Sequence, residues 1–268
     1  MSKYVLVPDS FKGTMTSREI CEIMQHAIER IDSDAKIISV PVADGGEGSV
    51  DAFLSALGGK RKAITVTGPH FEKLSSSYGI TDDGTAVIEM SACAGLPLVY
   101  GKKNPELTTT YGVGELICNA ARSGARRIVI GLGGSATNDG GCGAAAAAGI
   151  KFYDKSGKSF VPVGRTLKDI ASIDYSGLDS ALRGVSISAM CDVDNPLLGE
   201  TGAANVFGPQ KGKCGHDSAA RRWIKAPFRS IRQSEACIDA FRRCSGRHGL
   251  RHDGFFQLPV ANGHRRPA

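Results

Sequence analysis

"RIVIGLGGSATNDGGCGAAAAAG", Arg127 to Gly149, decides how this chain is read. A β-branched run enters a loop crowded with glycine, and a run of alanines leaves it. Isoleucine and valine suit a strand, and alanine is the strongest helix former. Strand, loop and helix in that order form one half of a βαβ unit, and such units bind ligands at the carboxyl ends of their strands.

The same order recurs on both sides. Tyr4–Val7 predicts a first strand, and "TSREICEIMQHAIERI" predicts a helix with Thr16 and Glu19 at capping-box spacing. Its apolar residues Ile20, Ile23, Met24, Ala27, Ile28 and Ile31 fall on one face of a 3.6-residue helix. "KIISVPV" follows as a strand, and "GSVDAFLSALGG" as a helix with Val50, Phe53, Leu54 and Leu57 inward and Gly58 as its C-terminal cap. Strands are expected at 62–66, 86–90, 127–131, 150–153 and in "VSISAM", with a helix over 113–123 and the alanine-rich helix after the loop. The expected fold class is α/β, a mostly parallel sheet covered by helices.

Composition narrows the function classes. The 268 residues are 41% hydrophobic and 22% charged, as in soluble globular chains, and no apolar run reaches membrane-spanning length. With no signal-peptide pattern at "MSKYVLVPDSFKG", a cytoplasmic location and no membrane partner are expected. The eight cysteines contain no C-x-x-C pair, which predicts reduced, mostly buried thiols. The net charge of +6 is not spread evenly, since Lys and Arg total 21 against 23 acidic residues up to Gly212, and 12 against 4 after it.

Four polar loops follow predicted strands: "PDSFKG", "VADGGEG", "GLGGSATNDGG" and "CDVDNPLLG". Glycine lets backbone N–H groups approach an anion, so the loop Gly131–Gly141, with Ser135 and Thr137, and the smaller turn at Gly45–Gly46 suit phosphate; tight turns alone would also explain the glycines. Asp44, Glu47, Asp139, Asp192 and Asp194 are hard oxygen donors that suit Mg²⁺, or else turn and cap residues. Lys12 can neutralise a transferring phosphoryl group, and Lys211 in "GPQKG" is a weaker candidate of the same kind. Asp192 and Asp194 could orient an attacking hydroxyl and accept its proton. Ser10, Thr108, Thr109, Thr110 and Tyr111 offer hydroxyls to a small polar substrate, or cap a helix.

Two other nucleotide-binding patterns compete. A P-loop is excluded, because Phe152 stands where the first glycine before Gly157-Lys158-Ser159 would be. Gly131-x-Gly133-x-x-Ala136, with Asp154 further on, matches the dinucleotide fingerprint loosely and keeps an NAD(P)-binding oxidoreductase in view. Against it, polar residues run on to Asp139, where the helix of that motif should already be under way.

At these residues the chain resembles the type I glycerate kinases. "PDSFKGTMTSREI", "VPVADGGEGSVDAF", "VTGP", "TTTYGVGELI", "GGSATNDGGCG" and "CDVDNPLLGETGAANVFGPQKG" occur in that family's order. The resemblance implies ATP-dependent phosphorylation of D-glycerate to 2-phosphoglycerate, with ATP and Mg²⁺. It also implies a two-domain α/β fold with a flavodoxin-like, parallel-sheet portion and an interdomain active site. On this basis 1–65 is expected to be the N-terminal part of the flavodoxin-like domain, 66–212 a second α/β domain, and 213–268 an atypical basic tail.

Matched residue by residue, the family's motif positions here are Asp9, Ser10, Lys12, Asp44, Glu47, Ser135, Asn138, Asp139, Asp192 and Asn195. Taken together with the reading of the loops, Asp9, Lys12, Asp44 and Asp192 are the expected catalytic residues. Ser10, Gly45, Gly46, Gly133, Gly134, Ser135, Thr137 and Asn138 are expected to bind nucleotide, and Glu47, Asp139 and Asp194 the metal. The resemblance stops at Gly212, where the family's further α/β segment is missing or replaced. An out-of-frame reading of the coding region is the expected cause, and a catalytically incompetent fragment of the family is the alternative function. Twelve basic residues in the tail match no nucleic-acid-binding module, so no nucleic-acid partner is expected.

Overall fold

Alternating apolar residues build the centre of the molecule. The computed structural model describes residues 1–11, 13–191, 193, 195 and 201–212. In chain order it shows β1 (Lys3–Leu6), α1 (Ser17–Glu29), β2 (Lys36–Ser39), α2 (Ser49–Leu57), β3 (Lys60–Thr67), β4 (Lys73–Ile80), β5 (Thr85–Glu89), α3 (Ser91–Ala94) and α4 (Tyr111–Arg122). There follow β6 (Arg127–Gly131), α5 (Cys142–Ala147), β7 (Lys151–Tyr153), β8 (Ser159–Phe160), β9 (Ser172–Asp174), β10 (Ser186–Met190) and α6 (Ala203–Lys211).

The main sheet has the order β10-β6-β5-β4-β3. β10, β6 and β5 are parallel, as expected from the β-loop-α reading, but β5, β4 and β3 are antiparallel. The reading missed β4 because "KLSSSYGI" carries three consecutive serines in place of β-branched residues. A second sheet pairs β1 with β2 in parallel, and a third is antiparallel, β8-β7-β9. The fold is mixed α/β.

Val66, Tyr78, Ile88, Leu116, Ile128 and Leu182 form the main core, which packs α4 on the large sheet. Thr16 caps α1 as its spacing predicted: its hydroxyl accepts the Glu19 amide, and the Glu19 carboxylate accepts the Thr16 amide at 2.7 Å. The apolar stripe of α1 is only partly covered, however. Ile20 is buried, while Ile23 is 56% and Ile31 90% exposed, because β1 and β2 alone give that helix a narrow sheet to lie on. Cys21, Cys93, Cys118 and Cys142 are buried and take part in no disulfide among the described residues. Burial pushes Cys93 and Cys118 up to about 12, so they stay protonated and inert. Among the described residues, no helix is long and apolar enough to cross a membrane.

Helices α4 and α5 touch through Gly114, where a β-carbon would run into the Ala144 carbonyl and lie 2.7 Å from the Ala147 β-carbon. Gly114→Ala should therefore lower stability by about 1–3 kcal/mol, since the obstruction includes backbone that cannot yield. Urea denaturation measures this directly, and an unchanged midpoint would contradict the packing.

Candidate phosphate-binding site

Three strand ends meet where the sequence placed its loops. The turn after β2 lies backbone to backbone on the loop after β6: Gly133 donates its N–H to the Gly45 carbonyl at 3.0 Å, and Leu132 donates to Met190, the end of β10, at 3.1 Å. Side chains are excluded from this seam. A β-carbon on Gly133 would stand 2.7 Å from the Gly46 Cα, one on Gly131 would strike the Gly45 carbonyl, and one on Gly45 would stand 2.9 Å from the Met190 carbonyl. These glycines are needed for close approach, whatever else they bind. The tip of β5 joins the cluster, since Met90 donates to Gly131 at 2.9 Å and Ala136 donates to Ala94 at 2.8 Å.

The second half of the loop is organised by Asp139. Only 1% exposed, its carboxylate accepts the Thr110 amide (2.8 Å), the Thr110 hydroxyl (2.9 Å), the Gly141 amide (3.1 Å) and the Gly143 amide (3.2 Å). Burial pushes its titration upward, and these donors oppose the shift. The starts of α4 and α5 thus converge on one internal anion, which satisfies orphan helix amides. Expected from the sequence as a metal ligand, Asp139 has both carboxylate oxygens engaged by backbone donors in this structure. The three threonines, offered as substrate hydroxyls or as helix-capping residues, are engaged internally at the helix starts. Thr108 donates to the Ala136 carbonyl, Thr109 accepts from the Tyr111 amide, Thr110 serves Asp139 and Ala144, and all are 2% exposed or less.

What the loop leaves open lies between these two anchored ends. Among the described residues, the amides of Gly134 and Ser135 have no recorded acceptor, and neither residue is buried. Beside them comes Lys211 from the last turn of α6, donating to the Thr137 carbonyl at 2.8 Å and facing the Ser135 hydroxyl at 3.4 Å. Burial pulls this ammonium down to about 8, against the pull of the Asp139 carboxylate. A partly desolvated cation next to open amides and the Ser135–Thr137 hydroxyl pair (3.0 Å) is suited to an anion with several oxygens.

The remaining sequence candidates are distributed as follows. Asp9 is exposed and accepts the Ser10 amide at 2.7 Å. The Asp44 carboxylate accepts the Gly46 amide at 3.0 Å, so that turn binds its own side chain. Glu47 is exposed on the same turn, and Asn138 is half-buried in the loop. Asn195 donates to the Thr201 carbonyl at 2.9 Å. Lys12, Asp192, Asp194 and the tail from 213 onward lie outside the described residues. Among the described residues, no group of three or more His, Cys, Asp or Glu side chains could hold a metal. The dinucleotide fingerprint fails on geometry, since α5 starts at Cys142, well past Ala136.

Two groups escaped the sequence reading. Glu89, ending β5, is 7% exposed and accepts the Val50 amide at 2.7 Å. Ser91 carries a buried hydroxyl with no partner among the described residues, under Gly134. Neither lies in a glycine-rich or acidic stretch, so only tertiary pairing reveals them.

Comparison with known proteins agrees with the motifs. The model of the glycerate kinase family matches residues 4–225, somewhat beyond Gly212. The chain is 48% identical to "Glycerate 2-kinase" of Escherichia coli (strain K12) and 49% identical to "Glycerate kinase" of Bacillus subtilis (strain 168), each over 212 residues. Each match covers 78% of this chain but 56% of the relative, so the chain spans about half the length of these curated relatives. The crystal structure of a candidate glycerate kinase 2 from Salmonella typhimurium LT2 superposes with a TM-score of 0.73 at 40% identity, over 87% of this chain and 62% of that one. Motif order, fold and sequence identity together show that this chain belongs to the glycerate kinase family.

Proposed function

We propose that this chain carries the phosphate-handling half of an ATP-dependent kinase that converts D-glycerate to 2-phosphoglycerate in the cytoplasm. The observation that supports this is Lys211, an ammonium drawn out of water onto the Ser135–Thr137 edge beside two open amides. Such a cradle is complementary to the charge spread over phosphoryl oxygens during transfer, where preorganised donors contribute most. The ATP phosphates would lie on Gly134, Ser135 and Lys211. Gly133, Gly45 and Gly46 would shape the seam beneath them.

Lys12 and Asp192 remain the proposed partners for phosphate neutralisation and for the acceptor hydroxyl, and Asp9 and Ser10 for substrate contacts. With residues 1–65 and 66–212 taken as two domains, the Gly45–Gly133 seam falls where they meet. Mg²⁺ enters this reading as a companion of the nucleotide phosphates. The described carboxylates do not form a ligand set for it, since Asp139 is consumed by backbone donors, and no step is derived through the metal.

A coupled ADP-release assay tests the reading. ADP should appear only when D-glycerate and ATP are both present, and a hydroxyacid lacking the second hydroxyl should not replace glycerate. Release that is indifferent to glycerate would overturn the substrate assignment.

A further inference from the structure

Helix α2 starts without a cap of its own. Its N-cap is Gly48, at φ +92° with no side chain, yet the Val50 amide in its first turn is paired. The partner is Glu89, brought from the tip of β5, where its strand register sets it beside Gly131. Burial pushes this carboxyl upward, and the Val50 amide and Arg61 pull it down, while Asp51 and Glu47 push it up again. Arg61 is itself committed to Asp51 at 2.7 Å. A carboxylate in this setting costs stability, whereas a glutamine would keep the acceptor without the charge.

The geometry points to Glu89 as a positioning residue for the phosphate cradle: its carboxylate takes the anion's place at the start of α2 and locks the preceding turn onto the loop after β6. The chain of contacts is short. Glu89 holds Val50, the Ser49 hydroxyl holds the Gly46 carbonyl at 2.8 Å, and Gly45 receives the Gly133 amide. With that helix end already filled, an incoming phosphate is left with Gly134, Ser135 and Lys211. This assignment rests on the cradle proposed above.

Two measurements on the full chain separate the ideas: hydrogen exchange of the Gly133 amide by NMR, and calorimetric titration with tripolyphosphate. In Glu89→Ala, Gly133 exchange should speed up by about tenfold or more while the β7 amides stay protected, and tripolyphosphate affinity should fall by about tenfold or more. Sodium formate should restore both, by supplying the missing acceptor for the Val50 amide. Glu89→Gln, which keeps the acceptor, should stay close to wild type in both readouts and be at least as stable at neutral pH. Glu89→Asp, which withdraws the carboxylate by one methylene, should loosen Gly133 partially and serves where the alanine variant does not fold. Unchanged Gly133 exchange in the alanine variant, or an equal rise in β7, would overturn the assignment. If the wild-type chain binds no tripolyphosphate, the cradle is wrong, and the exchange arm still decides whether Glu89 holds the turn.

Discussion

Asp139→Ala should be the most destabilising single substitution in the loop, by roughly 3–5 kcal/mol. It strands the Thr110, Gly141 and Gly143 amides and the Thr110 hydroxyl in an interior where the side chain was 1% exposed. Each buried donor left unpaired costs about 1–3 kcal/mol, although partial relaxation and water entry keep the total below their sum. Against a typical stability of about 5–15 kcal/mol, such a loss is close to unfolding. Asp139→Asn should cost less, since one oxygen still accepts, but its NH₂ group opposes backbone N–H donors. Urea denaturation at neutral pH would show the order wild type, Asn, Ala; a loss under about 1 kcal/mol for the alanine variant would mean the helix starts do not depend on this anion.

Lys211→Met should do the opposite, removing function and sparing the fold. The ammonium is held near a titration point of about 8, below the ordinary lysine value. The folded protein therefore binds that proton less tightly than the unfolded chain does. Stability from this group is complete above the ordinary lysine range and declines as pH drops through about 8. At neutral pH the charged form costs stability, so a methionine of similar length should leave the melting temperature unchanged or raised. Turnover should fall by roughly 10²–10³, the usual effect of deleting one preorganised donor to a developing charge. Phosphate binding restores the ammonium's partner, so tripolyphosphate should take up a proton near pH 8 and bind more weakly above it. Calorimetry in buffers of differing ionisation enthalpy reads that uptake, and its absence in Lys211→Met assigns it.

The contrast between these two residues shows what the sequence could and could not tell. Local rules identified the capping box on α1, the strand Arg127–Gly131 and the glycine loop, because spacing and residue type fix those elements within a few positions. They also placed polar loops after β2 and β6, and the seam of Gly45, Gly133 and Met190 brings those two turns together at the end of β10. Roles within the loop were hidden. Asp139 sits in "TNDGG" looking like a metal ligand, and only the arrival of Thr110 from a distant segment turns it into an internal anchor. Lys211 looked weaker than Lys12 because "GPQKG" has no strand before it; the end of a helix places it instead. The antiparallel β3–β4 pair was obscured by Ser75, Ser76 and Ser77, which lack the β-branched signal of a strand and pair with Thr65, Ile64 and Ala63.

Fastening two helices to one buried anion also divides the molecule into still and adjustable parts. Helices α4 and α5 share Asp139 and touch through Gly114, so neither can tilt without disturbing the other. Among the described residues, helix α6 is joined to this fixed floor by side chains alone, Lys211 reaching the Thr137 carbonyl at 2.8 Å and Lys103 reaching the Gln210 carbonyl at 3.1 Å, so the cation that meets the open amides is carried by the more adjustable of the two parts.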